Sequence, residues 1–121
     1  MDLQNIATDF LKLCTTGAVE KAFRNYTGTG FIHHNPFFES DCESLQAAML
    51  HAAKQDPNKD IEFIYVIHDS TEVMVHSKIT LGDGNVLAAM HRFRFVDGKV
   101  VELWDIVQPQ PVPLINKSGM F

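Results

Sequence analysis

The stretch V-L-A-A-M-H-R-F-R-F-V-D-G-K-V-V-E-L-W-D-I-V-Q, residues 86–108, decides the fold. It is dense in β-branched and aromatic residues and is interrupted only at Val96-Asp97-Gly98, which reads as a hairpin connection. Strands over 86–96 and 99–108 follow. Upstream, residues 61–68 and 72–81 have the same character, with D-S-T and G-D-G-N as the connections, so the second half of the chain predicts four antiparallel strands. Beyond them P-Q-P-V-P cannot pair inside a sheet and is expected to run along the surface or an interface.

The first half has a different period. Asp2 is placed to cap a helix carrying Leu3, Ile6, Ala7, Phe10, Leu13 and Cys14 on one stripe. After Thr16-Gly17, residues 18–26 predict a second helix with Val19, Ala22 and Phe23 inward, ended by Gly28 and Gly30. Residues 31–36, F-I-H-H-N-P, read as a short extended piece, because the residue before proline is pushed out of the helical region. A capping box from Ser40 to Glu43 opens a third helix, with Leu45, Ala48, Met49, Ala52 and Ala53 on one side, that ends near Gln55. Three helices followed by a curved antiparallel sheet make an α+β domain whose helices must cover one face of the sheet.

Composition sets the class. The 121 residues, 45% of them hydrophobic and 21% charged, suit one domain with its own core. Ten Lys and Arg against 15 Asp and Glu give a net charge of −5 with no basic stripe, which argues against nucleic-acid binding. The start M-D-L-Q-N lacks a basic, apolar leader, and no run approaches the roughly 18 apolar residues that would span a bilayer. A cytoplasmic location without membrane contact is the expectation. Cys14 and Cys42 sit in apolar-periodic segments without C-x-x-C spacing, and read as reduced thiols. No serine-nucleophile motif, Walker loop or dinucleotide fingerprint occurs.

Register arithmetic locates the candidate chemistry. A two-residue Asp83-Gly84 turn would pair Gly82 with Asn85 and set His76 opposite His91. At the next connection two registers are open. A three-residue loop pairs Phe95 with Lys99 and puts Asp105 on the face of His91, whereas a two-residue Asp97-Gly98 turn puts Asp105 on the other face. Under the first, His76, His91 and Asp105 form a polar cluster on an apolar surface that includes Ala89, Phe93 and Leu103. Whether Tyr65 or Ile64 abuts His76 stays open. A carboxylate and imidazoles in an apolar pocket suit general acid–base catalysis on a small carbonyl compound, with no cofactor. The same three residues lack the spacing of any specific metal motif, and no metal is expected. Arg92 and Arg94 share a face and are expected to pair with acidic residues.

F-I-H-H-N-P, M-H-R-F-R-F-V-D-G-K-V-V-E-L-W-D-I-V-Q-P and the ending N-K-S-G-M-F together resemble the SnoaL-like polyketide cyclase family of the NTF2-like group. The resemblance implies a cone of three helices over a strongly bent antiparallel sheet, an internal pocket for a small hydrophobic molecule, and homodimerisation through the outer surface of the sheet. It implies roles for His34 and Asn35 of H-N-P, for Trp104 and Asp105 of E-x-W-D, and for Gln108. This chain departs from the family pattern at His91, where an aspartate is usual, and at Leu103, where a histidine is usual. The resulting expectation is an isomerase or aldol-type cyclase with Asp105 as general base, His91 and His76 orienting it or donating to an oxyanion, and His34 or Asn35 polarising the substrate. Tyr65 and Phe93 join Asn35, Trp104 and Gln108 as expected substrate contacts. A non-catalytic ligand-binding or dimerisation module is the competing expectation.

Overall fold

A computed structural model describes residues 1–121 as three helices and one five-stranded sheet. The helices are α1 (Leu3–Thr15), α2 (Val19–Tyr26) and α3 (Cys42–Gln55), and the strands are β1 (Thr27–His33), β2 (Asp60–His68), β3 (Glu72–Thr80), β4 (Val86–Val96) and β5 (Lys99–Pro109). Sheet order is β1-β5-β4-β3-β2, antiparallel except for the parallel β1–β5 pair.

Asp2 caps α1 as expected, its carboxylate accepting from Asn5 N–H at 2.9 Å. The cap of α3 is Asp41 rather than Ser40. Its carboxylate accepts from both the N–H and the hydroxyl of Ser44, which corrects the expected capping box by one residue. A second correction concerns Gly28 and Gly30. They do not end α2 but lie inside β1, a fifth strand where only a short extended piece was expected. A Cβ on Gly28 would come within 3.0 Å of Lys99 Cβ and 3.2 Å of Val101 Cγ1, so the absence of a side chain lets β1 approach β5.

The core lies between α1, α2 and the concave face of the sheet. Phe10, fully buried, meets Phe23 at 5.2 Å and Phe93 edge-on at 5.9 Å between ring centroids. Such tilted and edge-on pairs match the positive rim of one ring to the negative face of the next. Leu11, which the stripe read from the sequence omits, is also buried, whereas Leu13 is only partly so. Helix α3 contributes one fully buried residue, Leu45. It is therefore held less closely against the sheet than α1, and this difference leaves room for a cavity between them.

The β3–β4 and β4–β5 hairpins both depart from the simple registers. At β3–β4 the loop has three residues: Asp83 Oδ1 accepts from Asn85 N–H, Gly84 is left-handed, and Leu81 N–H donates to Asn85. The ladder therefore sets Val75 opposite His91 and His76 opposite Met90. One residue of slip sends His76 to the opposite face from His91. The expected shared face for the two histidines is thus corrected. At β4–β5 the turn is the two-residue one, Asp97 and Gly98 both having positive φ. A bulge at Val101 then shifts the pairing, so that Val96 faces Lys99 but Arg94 faces Glu102 and His91 faces Asp105. Neither register read from the sequence anticipated this combination.

Candidate functional site in the concave face

An apolar cavity of about 320 Å³ opens between α1, α3 and the sheet. Leu11, Cys14 and Thr15 of α1, Met49 and Ala52 of α3, and Ile61, Ile79, Leu81 and Leu87 from the sheet side form most of its wall. Besides Thr15, two polar residues interrupt this largely hydrocarbon lining. His91 lines it from β4 and Lys59 from the segment between α3 and β2. The volume falls within the usual range of small-molecule sites, roughly 300–1,000 Å³.

His91 is 6% exposed, and its Nδ1 has no hydrogen-bond partner. Burial pushes its pKa down to about 4, against an opposing pull from Asp105. At neutral pH the ring is therefore an uncharged imidazole, with one N–H donor and one acceptor nitrogen. Cys14 is buried too, and burial raises its thiol to about 12, which leaves it protonated and unreactive. Cys14 and Cys42 are both free.

Asp105 is half-buried beside His91, and Asn35 Nδ2 donates to its Oδ2 at 3.0 Å. The asparagine is itself fixed by the turn that Pro36 imposes. Its Oδ1 accepts from Phe37 N–H at 3.0 Å, and its own N–H donates to His33 Nδ1 at 3.1 Å. That bond assigns the proton of His33 to Nε2, which donates to the Glu39 carbonyl. A buried His33 thus holds the H-N-P loop against the sheet, and the loop holds Asn35 on Asp105. Asp105 also lines a separate hollow of about 370 Å³ with His34, Asn35, Phe37 and Val107.

The other expected residues lie outside the apolar cavity. His34 points outward, where it stacks on Trp104 at 4.8 Å and meets Glu102 Oε2 at 2.6 Å. In the H-H pair it is His33 that turns inward. Arg92 lies over the other side of this arrangement, 4.1 Å from the Trp104 ring and 2.7 Å from Glu72, while Arg94 bonds Glu102 at 2.8 Å. Hydrogen bonds from His34 and Arg94 hold Glu102 below the usual carboxylate range. Both arginines pair with acidic residues, as expected. His76 and Tyr65 are neighbours on the convex face, where Phe121 stacks on His76 at 5.8 Å. Gln108 is also convex, beside Met90 and Met120. Phe93 faces inward but is fully buried in the core rather than lining the cavity.

Of the nine expected site residues, Asp105, Asn35 and His91 therefore come together, Phe93 packs behind His91, His34 borders the hollow of Asp105 and Asn35 while bonded to Glu102, and His76, Tyr65, Trp104 and Gln108 do not join them. No three His, Cys, Asp or Glu side chains converge in the geometry of a metal site. No helix is long and apolar enough to cross a membrane. Lys59 and His33 were not among the expected residues. The alternation along F-I-H-H places adjacent histidines on opposite faces, but only the β1–β5 register says which one faces inward.

Among solved structures the chain is similar to a SnoaL-like polyketide cyclase from Agrobacterium tumefaciens, with 12% identity, TM-score 0.73, and 89% of this chain and 92% of that one covered. It is also similar to AclR, a proposed hydroxylase from Streptomyces galilaeus, with 16% identity, TM-score 0.74 and 88% of each chain covered. An NTF2-like protein of unknown function from Cytophaga hutchinsonii matches over 96% of both chains with 15% identity and TM-score 0.69. No protein-family profile matches the sequence, and no curated protein is similar to it in sequence. The chain has the NTF2-like, SnoaL-like fold, and at such low identity the likeness concerns the fold alone.

Proposed function

We propose that this protein is an acid–base enzyme acting on a small hydrophobic carbonyl compound, by isomerisation or aldol-type ring closure. The observation that carries the reading is the direct pairing of His91 with Asp105 on the concave face, next to a largely hydrocarbon cavity. Asp105, held by Asn35, is the base that takes a proton α to the carbonyl. Neutral His91 donates an N–H to the oxygen as enolate character develops, and the carboxyl returns the proton to carbon or oxygen. This chemistry asks for no cofactor.

Incubation of simple ketones in deuterated buffer, followed by NMR, tests the assignment whatever the natural substrate is. Enzyme-dependent deuterium uptake at the α carbon is expected, falling about 100-fold or more in Asp105→Asn. Uptake that survives this substitution removes Asp105 as the base.

One observation favours a second reading. Asp105 does not line the cavity that His91 lines. A non-catalytic ligand-binding protein would use the cavity and His91 alone, and would bind ketones without exchanging their protons.

The convex face is the proposed contact with a second copy of the chain. Tyr65, Ile67, Met74, Met90 and Ile106 are all exposed on the convex side of the sheet, a concentration of apolar surface that favours burial against a partner.

A further inference from the structure

Lys59 is the only charged residue that lines the cavity. Its Nζ donates to the Ala52 carbonyl at 3.2 Å, near the C-terminal end of α3. Ala52 lines the cavity too, so the ammonium is anchored at the solvent-exposed rim of the cavity. No carboxylate lies within ion-pair distance of it, since the three ion pairs of the molecule involve His34, Arg92 and Arg94. The nearby acid, Asp56, accepts instead from Gly82 N–H with both oxygens at 3.1 Å. Two ammonium protons are therefore left for an occupant. On the same lining, His91 carries a buried nitrogen with no partner. An unmet polar atom and an unpaired cation on an apolar wall describe the occupant: a hydrocarbon body, an anionic group and a separate polar oxygen.

We propose that the cavity binds an amphipathic oxo acid, with its carboxylate on Lys59, its hydrocarbon among Leu11, Ile79 and Leu87, and its keto oxygen toward His91. The proposal rests on the reading of this cavity as the substrate site and names the substrate class. The single ammonium, with one proton already committed to Ala52, matches a singly charged carboxylate. The hydrogen bond from Lys59 to Ala52 is solvent-exposed, so the carboxylate is held at the mouth of the cavity, where a charge-assisted hydrogen bond is sensitive to salt.

The test uses octanoate and octan-1-ol at pH 8, followed through the methyl resonances of Leu11, Ile79 and Leu87 in the full chain. Octanoate is expected to bind roughly tenfold more tightly than the alcohol, the usual gain for a hydrogen bond to a charged group. Lys59→Met equalises the two by weakening octanoate, and Lys59→Arg keeps the preference. Added salt narrows the preference in the unsubstituted protein and leaves the alcohol unchanged, a readout that does not require the variant to fold. Equal binding of the two probes by the unsubstituted protein overturns the proposal, as does a preference that persists in Lys59→Met. Either result leaves the Asp105–His91 chemistry standing. Failure of both probes to move the cavity methyls removes the oxo acid and the cavity as substrate site together.

Discussion

His91 and Asp105 face each other across the β4–β5 ladder, yet His91 Nδ1 has no hydrogen-bond partner and the carboxylate is held by Asn35 instead. Two groups that would ordinarily form an ion pair are thus kept adjacent but separately managed, one uncharged by burial and one tied to a loop. An uncharged donor beside a fixed carboxylate is the division of labour that proton abstraction next to a carbonyl requires.

The low pKa of His91 predicts how stability depends on acid. The folded state holds the group near 4 against an ordinary value of 6.5, so between these limits the unfolded chain binds more protons. Stability is complete above pH 6.5 and falls as the pH drops toward 4, by at most about 3 kcal/mol from this group. Urea melts across this range, compared with those of His91→Leu, should give a steeper pH slope for the unsubstituted protein. Parallel slopes count against a buried neutral imidazole.

The β4–β5 turn predicts a purely conformational penalty. Gly98 has φ +74°, and a Cβ built there meets nothing within 4 Å. Gly98→Ala should therefore cost about 1–2 kcal/mol through backbone strain alone. Thermal unfolding of the variant gives the check, and an unchanged midpoint would show that the turn relaxes to another type.

A pair formed through the convex face predicts that Ile106, 73% exposed, is covered in solution. Sedimentation should find twice the 13.6 kDa of one chain, and Ile106→Glu should return the monomer because a buried unpaired carboxylate is costly. A monomeric unsubstituted protein ends that reading.

Element types were legible because their signals are local. The stripe around Ile6, Ala7 and Phe10 and the break at Val96-Asp97-Gly98 each declare themselves within a few residues, though the length of that turn does not. The α+β class follows from their order, the cone is what the family resemblance implies, and the bounds of β4 are those the composition predicts. Contacts that depend on counting across a loop were less legible. Gly82-Asp83-Gly84 forms three residues of loop where a two-residue turn was equally consistent with the letters, and that one residue moves His76 to the convex face. The parallel pairing of β1 joins residues far apart in the chain, such as Ile32 with Glu102, and nothing near F-I-H-H announces it. Hence His33 rather than His34 faces inward. Lys59 carries no local signal at all, since only the assembled walls reveal it as their one cation.

Val101 has no opposite number on β4, and β5 changes step there. Before it the even-numbered Val100 lies indoors, and after it the odd-numbered Leu103 and Asp105 do. One strand thereby runs in two phases, and a turn fixed by Asp97 and Gly98 need not dictate which chemistry reaches the interior. Length rather than lettering is what this stretch must keep: removing a single residue would exchange wall for skin along half the strand, turning Trp104 inward and the acid out.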